Sequence, residues 1–557
     1  MILLIVAAAA LLAGSAMTVS AGTAGALSIL ELLKLQDMQR ALQYEQLKET
    51  GGQFSSGESS LRRALPPDAD DDGIPDSWET TNELNPNDPN DAWFDPDRDE
   101  VVNLFEYQLG SGLNNPASPP VATVGAAGAD YADVDTAIAS VAPGTAIRVA
   151  GGTYAVNYMT FSSKVIMIQG GWSADFSRRD LAQYATTFDG GMRDEILYFS
   201  VSSGNPVIIL DGLHFVGGNG YFGAVNLLSS GSSFMKTSVV NCSITQSRSD
   251  ASYGGVLRLN NWNISQSDRT IANTVIGGNE GSGICAQITD DTTARWRIIN
   301  TTISQNMNNG DNGYGIESFT LDNGVLTSHI YNSILWGNEQ EDISIRRNIT
   351  FNVDHSDIGD VDANFGAVYS AAPGVVDTNP LFVDPANGDF HLQGSSPVID
   401  AGTPSGVPLT DMEGNPRISG TTVDMGPYEY GGQIIDPLPD IKANGQDGPV
   451  TVSSSTPVSI TVALDPGSYA NQNADWWIAA DTPFAPPGDW YTYVYPSGWF
   501  PGINLCAQAG LFDLSPFEML NMTLPTGDYT FYFAIDDPDG MATGPWWGLD
   551  SVEVQVE

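Results

Sequence analysis

Within one twelve-residue stretch, six positions place oxygen donors at a spacing that can enclose a cation: Asp68, Asp70, Asp72, the carbonyl of Ile74, Asp76 and Glu79. Carboxylates at loop positions 1, 3 and 5, a carbonyl at 7, a direct or water-bridged group at 9 and a bidentate Glu at 12 form a calcium donor set, with glycine, here Gly73, allowing the sharp turn at 6. A second copy begins 27 residues later with Asp95, Asp97, Asp99, the Val101 carbonyl, Asn103 and Glu106, and it carries Glu100 where the first has glycine. The chemistry expected is hard-oxygen coordination of Ca²⁺, complete in the first loop and weaker in the second. The competing reading of either loop is a solvated acidic linker.

Both loops resemble the paired calcium loops of EF-hand-like and thrombospondin type 3-like repeats in secreted bacterial proteins. That resemblance implies a calcium-stiffened spacer, an acidic neck over residues 51–120 with a net charge of −12. The whole chain of 557 residues is just as lopsided, with 67 Asp and Glu against 21 Lys and Arg and a formal charge of −46. Only 5 Lys and 16 Arg are present, too few for the basic stripe that a phosphate backbone requires, which excludes nucleic acid as a partner. A hydrophobic content of 41% with 59 Gly and 33 Pro argues for turn-rich β structure rather than disorder.

Residues 1–50 differ from everything after them. The first thirty carry no charge and would span about 45 Å as a helix. From Glu31 the pattern turns amphipathic, with Leu32, Leu35, Met38, Leu42 and Leu47 near helical spacing, and it ends at Gly51-Gly52. An uncharged helix half containing Gly14, followed by an amphipathic half ahead of a globular head, resembles type IV pilins and related filament subunits. Ile5 stands where bacterial members usually carry glutamate. The resemblance implies export and a homo-oligomeric helical polymer through residues 1–50; a membrane anchor and a secretory segment cleaved after Ala16 or Ala21 are the alternatives.

Between 121 and 432 the sequence repeats. Gly223, Gly255, Gly283 and Gly315 open short apolar runs at intervals of 32, 28 and 32 residues; Asn241, Asn273, Asn300 and Asn332 recur at 32, 27 and 32, and Asn279, Asn306 and Asn338 follow the last three by six. Two interleaved series of one period mean stacked coils, and a right-handed parallel β-helix is expected. The stretches PGTAIRVAGGTY (143–154), SSPVIDAG (395–402) and VDMGPYEY (423–430) resemble the flanks of pectin-lyase-like β-helix proteins. Enzymes of that shape use an Arg or Lys base or paired carboxylates. Lys164, Arg346, Arg347, Asp290, Asp291 and His355 are the candidates, and they form no catalytic constellation. Arg346 and Arg347 point to opposite faces of a strand, Asp290-Asp291 reads as a solvated turn, and the four histidines show no metal-ligand spacing. Cys242 sits two residues before an inward Ile244 and Cys285 aligns with Leu257, so both read as buried thiols rather than a bridge.

Residues 433–557 alternate β-rich runs with turns and read as an Ig-like sandwich. In WYTYVY, Trp490, Thr492 and Val494 share one face and Tyr491, Tyr493 and Tyr495 the other, one for the core and one open to sugar rings or a neighbouring subunit. The chain is thus expected to be multidomain and mainly β, an extracellular structural subunit of a surface filament. The alternatives are an envelope-tethered polysaccharide lyase and a glycan-binding adhesin.

Overall fold

A computed structural model describes residues 64–557 apart from 98, 127, 157, 221–222, 250–253, 309–311, 432–436, 470–472, 484–489, 537, 539 and 543–545. The expected helix of residues 1–50 and the start of the acidic segment, 51–63, lie outside the described residues. The chain divides into two compact units, Met1–Gly431 and Gly432–Glu557.

The first unit is a parallel β-helix of three walls. A ten-stranded long wall runs from Val121–Val124 to Val368–Ala371, an eight-stranded second wall from Met159–Ser162 to Val361–Asn364, and an eight-stranded third wall from Gly152–Ala155 to Asp357–Ile358. Each regular coil visits the second, long and third walls in turn, as in Gly255–Asn261, Gln266–Ala272 and Val275–Gly277. Parallel in-register pairing stacks like on like: Leu210, Val239, Ile271, Ile298, Ile330 and Val353 form one inward column. The residues between them point outward, so each strand supplies both a lumen and a surface.

The sequence period has two physical causes. Asn241, Asn273, Asn300 and Asn332 all have positive φ, between 44° and 53°, and make the corner between the long and third walls in a conformation that asparagine tolerates. Their amides bond from coil to coil, Asn273 Nδ2 donating to Asn241 Oδ1 at 3.0 Å. The second asparagine series forms a buried ladder, Asn279 to Asn306 at 3.0 Å and Asn306 to Asn338 at 2.8 Å. The glycine series marks where coils nearly touch: a Cβ on Gly255 would lie 2.4 Å from Cys285 N, and one on Gly315 would lie 2.4 Å from Asp342 O.

Helix α1 (Asp76–Thr81) and helix α2 (Asn103–Leu109) belong to the acidic segment, and helix α3 (Val134–Ser140) joins the first coils. Asp133 caps α3 by accepting from Thr136 N at 2.8 Å. Lys164 donates to the Ile138 and Val141 carbonyls at the other end of α3, the place where the helix dipole favours a cation. Within the acidic segment, expected as a neck, residues 74–109 lie on the outer face of the long wall. Ile74, Trp93, Leu104 and Phe105 pack there on outward residues such as Ile209, Val240 and Ile299. The reason is chemical: this wall's outer face is apolar, and the acidic segment carries the apolar side chains that cover it.

The closing segment, 379–430, covers the third wall, where Phe390, Leu392, Val398 and Met425 meet Val275 and Ile334. Arg417, held within the segment by a buried pair with Glu429 at 3.1 Å, pins it by donating to Asn273 Oδ1. The two coverings meet at Gly406, whose carbonyl accepts from Trp93 Nε1 at 3.0 Å and Tyr331 Oη at 2.9 Å.

The second unit holds a three-stranded antiparallel sheet and a seven-stranded, mainly antiparallel one. Ile441, Val458, Ile460, Trp476, Phe533 and Val554 are in its core.

Candidate functional site: two acidic loops on the long wall

Local backbone chemistry shapes both loops alike. In the first, Asp68 accepts from Asp72 N and Gly73 N at 3.2 and 3.3 Å, and Asp72 Oδ1 accepts from Ile74 N at 2.7 Å. In the second, Asp95 accepts from Glu100 N at 2.9 Å and Asp99 from Val101 N at 3.0 Å. The turn needs a left-handed residue at the sixth position: Gly73 has φ 104° and Glu100 has φ 68°. Glutamate thus adopts there a conformation that suits glycine.

Ligand atoms of Asp68, Asp70 and Asp72 come within 4.8 Å of one another, as do those of Asp95, Asp97 and Asp99. A third group joins Asp72 and Glu79 to Asp91, a residue outside the twelve-residue loop. Asp91 precedes Trp93 in a single 3-10 turn, Asp91–Trp93, and the packing of that tryptophan on the wall positions it. Asp76 belongs to none of these groups; its Oδ1 accepts from Ala69 N at 2.7 Å.

Burial without donors distinguishes these carboxylates from a solvated cluster. Both oxygens of Asp70 and Glu79, Oδ2 of Asp72 and Oδ1 of Asp91 are buried with no hydrogen-bond partner among the described residues; in the second loop the same holds for both oxygens of Asp97 and Glu106 and for Asn103 Oδ1. Glu79, Asn103 and Glu106 are 0% exposed. Unpartnered buried carboxylates are costly, and here burial, reinforced by neighbouring carboxylates, pushes Asp72 up to about 9 and Glu79 and Glu106 up to about 8. Asp70 and Asp99 rise to about 6 for the same reasons. The Asn103 amide donates to the Asp91 carbonyl at 2.7 Å, tying the two loops together.

Asp68 has a second engagement that its loop position did not suggest. Arg297 Nη2 lies 2.6 Å and Arg295 Nη2 3.0 Å from its Oδ2. Arg297 also meets Asp268 at 2.6 Å and Asp71 at 3.1 Å and donates to the Asp71 carbonyl at 2.8 Å. The Arg297 side chain is 1% exposed and that of Asp68 0%. A buried arginine of the long wall thus clamps the first loop.

The residues weighed for sugar chemistry lie apart. Lys164 caps α3, Asp290 sits in a turn and accepts from Asn263 N at 2.9 Å, and His355 lies 2.8 Å from Asp354. A cleft of about 370 Å³ beside the first loop is lined by Asp68, Asp71, Arg295 and His329, groups already paired with one another or with Asp268. Cys242, Cys285 and Cys506 are buried thiols outside any disulfide; in the strand register Cys285 lies opposite Arg258 rather than Leu257, a slip of one residue that turns it outward. In the second unit Tyr493 packs toward the core against Trp499, while Tyr491 and Tyr495 are exposed. Thr492, on the opposite face, is buried as well. Among the described residues no helix is long and apolar enough to cross a membrane.

With this geometry established, comparison of the chain with protein-family models, with curated proteins and with solved structures finds no match to any of them.

Proposed function

We propose that this is a calcium-locked structural protein of the cell surface: a right-handed, pectin-lyase-like β-helix with an Ig-like terminal module, displayed on a filament through a pilin-like segment at residues 1–50. The observation that carries the reading is the set of buried, donorless oxygens in residues 70–106. Asp70, Asp72, Glu79 and Asp91, with Asp68 and the Ile74 carbonyl, would hold one ion. Asp95, Asp97, Asp99, Asn103 and Glu106, with the Val101 carbonyl, would hold the other. The donors are all oxygen, and bidentate carboxylates bring their number to the six to eight that calcium takes, more than the water-rich shell of magnesium requires. The bound ion supplies positive charge that makes burial of these carboxylates favourable.

The role is mechanical. An ion in each loop would fix α1, α2 and Trp93 on the long wall and keep its apolar outer face out of water. In β-helix enzymes the chemistry needs an open cleft with free ionisable groups; here described segments cover the outer faces of the long and third walls. The residual acidity suits a surface displayed at high density without self-association. Imaging the native cell surface tests the display: fibres whose helical core is residues 1–50 would support it, and a soluble secreted monomer starting near residue 17 or 22 would overturn it.

A further inference from the structure

The lumen of the β-helix encloses a guanidinium. Two residues before the inward column that begins at Leu210, each long-wall strand contributes to a second inward column: Ile208, Thr237, Arg269, Trp296, Ser328 and Phe351. Side chains closed off from water are ordinarily apolar, yet Thr237 and Arg269 are 1% exposed and Trp296 is 0%.

Arg269 reaches only neutral oxygens. Its Nη1 donates to the Leu227 carbonyl at 3.3 Å, and Nη2 donates to the Asn260 carbonyl at 3.3 Å and to Asn261 Oδ1 at 3.0 Å. Its Nε has no partner among the described residues. The neighbouring acid, Asp268, faces outward by strand alternation and is taken by Arg295 at 2.5 Å and Arg297 at 2.6 Å. Burial, with no acid contributing, pushes the Arg269 guanidinium down to about 9, so it keeps its charge at neutral pH. The groups nearest to it are donors as well. Thr237 lies one rung to one side and Trp296 one rung to the other, each about 4.8 Å along the stack. Thr237 Oγ1, Trp296 Nε1 and Asn261 Nδ2 are all buried with no partner among the described residues.

We propose that this level of the lumen binds a monovalent anion of chloride size, held by Arg269 Nε, Trp296 Nε1, Thr237 Oγ1 and Asn261 Nδ2. Charge commits the site to an anion. Water could accept from these donors, but it would leave a buried cation uncompensated, the costliest state for a core group. Charge also limits the ligand: one guanidinium balances one negative charge, and the surrounding Leu227, Ile271 and Ile298 offer no second cation to a sulfate or phosphate. The anion would act as an internal counter-charge joining three consecutive coils. The site depends neither on calcium nor on the filament reading.

The test uses the full chain, purified and crystallised from detergent with chloride as the sole halide. Long-wavelength anomalous diffraction separates chloride from water, and the lumenal sulfur of Cys242 is the internal control. A peak of sulfur-like height within hydrogen-bond reach of Arg269 Nε is expected. A visible Cys242 peak with none at Arg269, or density there without anomalous signal, would overturn the proposal. In solution, chloride is raised from about 1 to about 100 mM against gluconate at constant ionic strength. Amides of Ile271 and Ile298 should then exchange at least about tenfold more slowly, because an ion that binds only the folded coils stabilises them. Arg269→Met, which keeps volume, should abolish that dependence. A native chain indifferent to chloride, or a variant that responds equally, would also refute the site; if Arg269→Met does not fold, the diffraction peak and the native titration decide.

Discussion

Replacing Arg297 with Met should loosen the acidic segment from the long wall without unfolding the β-helix. The substitution keeps volume but removes the cation that sits 2.6 Å from Asp68, 2.6 Å from Asp268 and 3.1 Å from Asp71, and it withdraws a donor from the Asp71 carbonyl. Stripping one partner from a buried pair costs about 3–5 kcal/mol because the other charge stays buried. Arg295 still reaches both Asp68 and Asp268, so the loss belongs near the lower end, about 3 kcal/mol. At about 1.4 kcal/mol per decade, amide hydrogens of α1 and α2 should exchange about a hundredfold faster by native-state hydrogen exchange. Amides of the inward ladder at Ile271 and Ile298 should be unmoved, since the segment can open locally while the coils stay stacked. Adding Asp268→Asn should recover part of the loss, because it removes one of the stranded charges. Acceleration under threefold in α1 and α2, or equal acceleration in the coils, would refute the idea that this arginine clamps the loop.

Other consequences follow from the same geometry. Without metal, Asp72, Glu79 and Glu106 have folded-state pKa values of about 9, 8 and 8, above their unfolded values, so the folded state holds the extra protons. The metal-free first unit should therefore lose stability as pH rises from about 5 to 9, by about 1.4 kcal/mol per pH unit for each retained proton; calcium should flatten that slope, and urea melts at pH 5.5, 7 and 8.5 with and without calcium would check both. Glu100→Gly should raise stability by up to about 1 kcal/mol by relieving a left-handed glutamate, read as a higher urea midpoint. Asn306→Ala breaks a buried ladder in which the amide donates to Asn338 Oδ1 and the Ile276 carbonyl; it should cost about 2–4 kcal/mol and lower the melting temperature of the first unit.

Most of the β-helix was legible because parallel stacking writes itself into the sequence: a corner that needs positive φ selects Asn273 and Asn300, and a close coil contact selects Gly255 and Gly315. The clustering of Asp68, Asp70 and Asp72, and of Asp95, Asp97 and Asp99, was legible because each set alternates within one short turn. Asp91 was missed because it reaches Glu79 through the packing of Trp93, and no fixed spacing encodes that. The covering of the long wall was missed for a related reason: Arg295 and Arg297 share the outer face of a strand in a base-poor chain, a hint of buried acidic partners but not of which ones. The Cys285 alignment failed by a single residue, and in a strand that exchanges inside for outside.

Calorimetric titration of the metal-stripped full chain with calcium at pH 7, repeated in two buffers of different ionisation enthalpy, tests the central claim most directly. Two ions per chain are expected, with protons released as Asp72, Glu79 and Glu106 ionise, and with one ion lost in Glu79→Gln and the other in Glu106→Gln. Absence of saturable binding, or binding that both variants leave intact, would contradict the account.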